Sequence, residues 1–148
     1  MNKLALTAAA VLAATTLTGA AVVPSIAPAA GDAKVYTKRL VSRDIASHEL
    51  GRNTFAGAGV DRHAGHIIGY DSFTGHFYPK KDLADIWVSF ALKNGTISAV
   101  VHFKSTDTVS RGRVLNGTGK YRGARGTITA RPGPQNSEKT YITLKYHL

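Results

Sequence analysis

Four side chains combine hydrogen-bonding or acid–base chemistry with positions on otherwise apolar runs: Asp71, Trp87, His102 and Tyr146. A polar group buried on such a run needs a partner or a ligand, so these four are the candidates for lining a pocket. Asp71 and Asp85 are the acids near the centres of extended runs. The segment Asp61-Arg62-His63-Ala64-Gly65-His66 places three N/O ligands within six residues. It lacks the His-Glu-x-x-His spacing and a fourth ligand, so no metal site is expected. No Ser-His-Asp order stands out. Gly117-x-Gly119 lies between extended runs, without the following helix that a dinucleotide site needs. Cysteine is absent, which removes thiolate chemistry and Cys-ligated metals, and no cofactor is expected.

These residues sit on strands. Ala84 to Leu92 alternates with Ile86, Val88, Phe90 and Leu92 on one face and Asp85, Trp87, Ser89 and Ala91 on the other. Asn94-Gly95 then separates it from Ile97 to Phe103, and Asn-Gly between two extended runs predicts an antiparallel hairpin. Lys34 to Ile45 reads as a first strand, and the glycine-rich passage from His48 to Gly59 as a weak second strand or a loop. Gly65 to Tyr78 reads as a strand pair or one long bent strand, with Gly69 and Gly75 as candidate bulges. Gly126 to Arg131 and Thr140 to His147 supply the closing strands. No ten-residue stretch after the N-terminal segment shows an apolar period of 3.6. The fold class is therefore all-β, with about seven or eight strands in a meander, which suits an up-and-down barrel or a sandwich.

The N-terminus has the form of a secretory signal: Lys3, an apolar run from Leu4 to Ala14, then Ala27-Pro28-Ala29. Residues 1–29 are read as the leader and 30–148 as the domain, with a secreted or cell-envelope location. A secreted chain without disulfides must be held by packing alone, which a closed barrel favours by pairing every strand edge. The formal net charge is +10, or +9 once Lys3 is removed with the leader. Seven basic residues lie between Lys104 and Arg131 against one acid, Asp107. Such a field favours an anionic envelope surface as a partner. Nucleic acid is not expected, because Tyr121 alone among these cations offers a stacking surface.

Four glycines, Gly117, Gly119, Gly123 and Gly126, fall within ten residues of the run Leu115-Asn116-Gly117-Thr118-Gly119-Lys120-Tyr121-Arg122-Gly123-Ala124-Arg125-Gly126. This run resembles the Gly-Gly-Thr-Gly-x-Tyr-x-Gly-Ala-x-Gly signature of the allene oxide cyclase and dirigent-like barrel proteins, with Asn116 in place of the first glycine. The resemblance implies an eight-stranded antiparallel barrel with a ligand-sized interior, and dimers or trimers as in plant members. It also implies that the signature is structural, forming a turn between two late strands with Tyr121 packed at the barrel end. Lys120, Arg122 and Arg125 would then face solvent. The family's chemistry does not carry over directly, since the first strand, Val35-Tyr36-Thr37-Lys38-Arg39, lacks the carboxylate of a Val-Tyr-Glu pattern.

The expected function is binding of a small hydrophobic or phenolic molecule in the barrel. A cyclase, isomerase or stereochemical guide acting by orientation is a second expectation, and requires a buried carboxylate or tyrosine in the pocket. A basic envelope-interaction protein, with an interior filled by side chains, is the third.

Overall fold

The computed structural model describes residues 33–135 and 137–148, so the leader expected at residues 1–29 lies outside the described residues. Eight strands follow in chain order: β1 Tyr36–Gly51, β2 Thr54–His63, β3 His66–Tyr78, β4 Leu83–Leu92, β5 Gly95–Lys104, β6 Ser110–Gly117, β7 Arg125–Pro132 and β8 Lys139–His147. Each pairs antiparallel with the next, and β8 pairs with β1 to close the barrel. Closure pairs β1 on both sides from Val41 to Arg43 and gives a chain without cysteine an enclosed core, while β1 beyond Arg43 runs on to Gly51 with ladder partners on β2 alone.

Alternation decides what faces inward. On β4 and β5 the inward set includes Phe90, Leu92, Ile97, Ala99 and Val101, and Val88 packs against this core. The opposite arc contributes Leu40, Val114, Ile128, Ile142 and Leu144. The antiparallel β4–β5 hairpin forms as anticipated, but Leu92 pairs with Gly95, so the two turn residues are Lys93 and Asn94 rather than Asn-Gly. Gly95 is needed for another reason: a Cβ there would collide with the Thr118 carbonyl oxygen of the glycine-rich turn.

Other readings are narrowed. The passage from His48 to Gly59 holds the end of β1, which runs on to Gly51, and the start of the second strand, β2, at Thr54. Of the two alternatives for Gly65 to Tyr78, the single long strand is the one that forms, preceded by a tight turn with Ala64 (φ 48°) and Gly65 (φ 84°) in the left-handed region. Gly75 is a regular ladder position, whereas Gly69 borders a bulge: Asp61 pairs with Gly69 and Arg62 with Ile67, which leaves Ile68 of β3 unpaired between them. They are small because their neighbours occupy the space: a Cβ on Gly75 would enter the Phe55 ring, and one on Gly69 would meet the Ala91 carbonyl oxygen.

The glycine-rich signature closes one end of the barrel. After β6 the chain makes a single 3-10 turn, Gly119–Tyr121, which returns Tyr121 to the interior at 9% exposure. Tyr121 packs edge-on to Tyr146 at 6.1 Å between centroids, and Tyr146 stacks on Tyr36 at 5.6 Å. Lys120, Arg122 and Arg125 are exposed.

Candidate functional site

The other end of the barrel holds a cavity of about 250 Å³. Its lining is mainly aliphatic and aromatic, with Ile86, Val88, Phe90, Val101, Phe103 and Ile128 among it. The polar lining is Ser42 and Asp44 from β1, Asp71 from β3, Ser110 from β6 and Thr140 from β8, with Phe73 and Ile142 on the same strands as Asp71 and Thr140. Among the described residues no Lys, Arg or His lines it. Behind Ser42 and Asp71 passes β2, with Gly57 and Gly59 at inward positions. A Cβ on Gly59 would lie 2.5 Å from Ser42 Oγ and 2.7 Å from Asp71 Oδ2, so only glycine leaves room for the bond between them.

In that bond the Ser42 hydroxyl donates to Asp71 Oδ2 at 2.5 Å, and both residues are buried. Asp61, inward on β2, has no solvent exposure, and neither of its carboxylate oxygens has a hydrogen-bond partner among the described residues. Burial first, and then the adjacent Asp71 charge, push the Asp61 carboxyl up to about 8, so it holds a proton at neutral pH. Asp44, beside the cavity, is also raised, by burial and then by Asp71 and Glu138. The interior is thus a paired-carboxyl site under an apolar chamber. Such a pair keeps one proton and one negative charge at neutral pH, since two adjacent carboxylates resist being ionised together, so it offers both an acid and a base in one place.

The four residues anticipated as pocket candidates separate. Asp71 lines the cavity. Trp87 does not: it is on the outer face of β4, 45% exposed, with Val100 as its cross-strand neighbour. His102 is also outside, its Nδ1 2.6 Å from Asp85 Oδ1 in an exposed pair. Both follow from the two-residue period, which turns Trp87 and His102 away from the faces that carry Phe90 and Val101. Tyr146 faces inward but belongs to the tyrosine plug, where burial, then Tyr121 and Tyr36, raise its phenol. The Asp61, His63 and His66 run does not converge. Asp61 enters the barrel, while His63 Nδ1 meets the Arg39 carbonyl oxygen at 2.8 Å on the outside.

Sequence reasoning missed Ser42, Asp44 and Ser110, and weighed Asp61 only as a metal ligand beside His63 and His66. The signal for Asp61 lay in the alternation Phe55, Gly57, Gly59, Asp61, opposite Ala56, Ala58 and Val60, which is the period of a strand. Its glycines weaken the apolar pattern that normally marks an inward face.

Gly59→Ala provides a direct check on this arrangement. The new methyl should force Ser42 out of its rotamer and break the Ser42–Asp71 bond, at a cost of about 1–3 kcal/mol. Denaturant unfolding of Gly59→Ala beside Ser42→Ala measures it; because the two share one bond, their effects should fall well short of additive.

No family model matches the chain, and no curated protein matches it. Solved structures do. The chain is similar to a pyocyanin demethylase at 20% identity and a TM-score of 0.62, over 74% of this chain and 99% of that one. It is similar to the pterocarpan synthase dirigent protein GePTS1 at 14% identity and a TM-score of 0.62, over 86% of this chain and 99% of that one. A heme-binding cyclase that catalyses a [4 + 2] cycloaddition in neoabyssomicin biosynthesis aligns at 17% identity and a TM-score of 0.58, over 80% of this chain and 69% of that one. The fold is the closed barrel of dirigent-like and cyclase-like proteins, the class that the glycine signature points to.

Proposed function

We propose that this barrel binds a small, mainly apolar or aromatic molecule in its cavity and steers it through Asp71, with Asp61 as the proton-holding partner behind it. The observation that carries this reading is the buried carboxyl pair at a mainly apolar 250 Å³ cavity. The aliphatic lining supplies non-directional affinity, while Asp71 supplies the fixed polar contact that sets orientation. Holding a reactive molecule in one conformation is itself a source of rate and selectivity, and a proton exchanged with the pair would add acid–base assistance. This is a guide or cyclase-like role, and the dirigent protein and cyclase among the similar folds make it chemically reasonable. An envelope protein acting only through its surface would be expected to fill its interior, which the cavity does not favour.

Because Trp87 is outside, ligand-observed NMR and thermal shift are the appropriate readouts rather than tryptophan emission. Across a panel of phenolic and fatty-acid-derived compounds, at least one should bind, and Asp71→Asn should weaken it by about tenfold, the cost of a buried hydrogen bond to a charged group. No binding across the panel would remove the ligand reading; equal binding by wild type and Asp71→Asn would remove the steering role. We further propose that residues 1–29 direct export, with N-terminal sequencing of the exported chain expected to begin at Ala30.

A further inference from the structure

The outer wall of the barrel divides by charge. Six arginines are exposed on the arc β6–β7–β8–β1: Arg111 and Arg113, Arg125 and Arg131, and Arg39 and Arg43. Lys139 and Lys145 on β8 complete it. The register aligns these cations in rows across the strands. Arg39 stands opposite Thr143, Thr143 opposite Thr129, and Thr129 opposite Arg111. In the next row, Thr37, Lys145, Thr127 and Arg113 are successive partners. Glu138 is bound to Arg43 at 3.3 Å in one corner of this arc, and the exposed acids of β1, Asp44 and Glu49, lie beyond Arg43, outside the two rows. On β3 and β4, by contrast, the outward central positions are Tyr70, Ser72, Thr74, Trp87, Ser89 and Ala91, with no cation. Two of the chain's nine acids, Asp61 and Asp71, are withdrawn into the interior, so the exterior is more cationic than composition indicates.

We infer that this arc is a docking surface for a flexible, phosphate-rich linear polymer. Guanidinium groups bind phosphate through two parallel hydrogen bonds, and the threonines between them offer hydroxyls to the same oxygens. Adjacent strands lie about 4.8 Å apart and residues two apart on a strand about 7 Å, so the rows form a grid of cations across the wall. The wall is convex, and a flexible chain can follow it where a flat bilayer touches only a line. The two cation rows themselves carry no apolar side chain that would seat them in a membrane: Tyr141 lies under Arg131 at 5.6 Å, and the exposed Val35, Ile45 and Leu148 lie outside the rows, towards the ends of the arc. With Tyr141 as its one aromatic at these rows, it lacks the stacking platform of a single-stranded nucleic-acid binder.

The test uses the full chain and long-chain inorganic polyphosphate as probe, titrated at several salt concentrations. The combined variant Arg39→Gln, Arg111→Gln and Arg113→Gln should bind at least about tenfold more weakly near physiological salt, with a shallower salt dependence. A control removing the same charge from elsewhere, Lys80→Gln, Lys93→Gln and Lys104→Gln, should lose less than about threefold. Circular dichroism should be unchanged in both, since all six side chains are exposed. Equal losses in the two variants would overturn the inference, because net charge alone would then explain binding. Equal or tighter binding of phosphatidylglycerol vesicles or single-stranded DNA at matched phosphate would overturn the assignment to a bare phosphate chain.

Discussion

Raising the pH from about 5 to about 9 should lower the melting temperature of this protein by about 10 °C, and Asp61→Asn should flatten most of that profile. The sign follows from the proton count. The Asp61 carboxyl titrates near 8 when folded, against an ordinary value of 3.8. Between those values the folded chain holds a proton that the unfolded chain has released, so stability falls as pH rises. Below 3.8 both states are protonated and the contribution is complete; above 8 the fold must accommodate an ionised, unpartnered Asp61 beside Asp71. A displacement of this size has an upper limit of about 6 kcal/mol, reduced in practice by relaxation and shared titration with Asp71. Asp44 is shifted the same way and leaves a smaller slope of the same sign. The amide introduced by Asp61→Asn keeps the shape of the side chain, cannot ionise, and turns a donor towards the neighbouring carboxyl. Melting curves across this range for wild type and Asp61→Asn decide the matter. A flat wild-type profile, or an unchanged slope in the variant, would show that Asp61 is not the group responsible.

The second large effect belongs to the tyrosine-closed end. Gly117→Ala should destabilise the fold by about 3 kcal/mol or more, while Gly123→Ala, six residues on, should cost about 1 kcal/mol. A Cβ on Gly117 would collide with the Tyr121 carbonyl oxygen, and would lie 2.7 Å from Tyr121 Cβ and 2.9 Å from the Thr96 carbonyl oxygen. Much of that obstruction is backbone, so no rotamer change relieves it. The turn carrying Tyr121 must lift, and the Tyr36, Tyr146 and Tyr121 stack opens with it. Gly123 has a φ of 83° and nothing near its missing Cβ, so its substitution costs only the left-handed backbone. Denaturant midpoints for the two variants separate the cases, and equal midpoints would refute the idea that close approach at Gly117 holds the plug in place.

That contrast shows how far a glycine pattern can be read. Four glycines in ten residues announce a turn that must bend and pack closely, and with Tyr121 they indicate a barrel-end closure. Which glycine is required by its dihedral angle and which by a neighbour depends on what lies opposite, and that is set by strands distant in sequence.

By itself the sequence determined the class of the molecule. Alternation on Ala84–Leu92 and Ile97–Phe103, a turn between them and the absence of a helical period leave only an all-β meander, because a two-residue period commits each side chain to one face. The same local period could not say which face closes inward where glycine dilutes the apolar signal, as on β2, or where both faces are apolar, as at Trp87. Only barrel closure decided these. It turned Trp87 and His102 outward, brought Ser42 onto Asp71 from 29 residues away, and enclosed Asp61 without a partner. A carboxyl in the chain has ordinary acidity until a fold removes its water and sets another carboxyl beside it; that desolvation is a property of tertiary structure, and the candidate chemistry of this protein begins there.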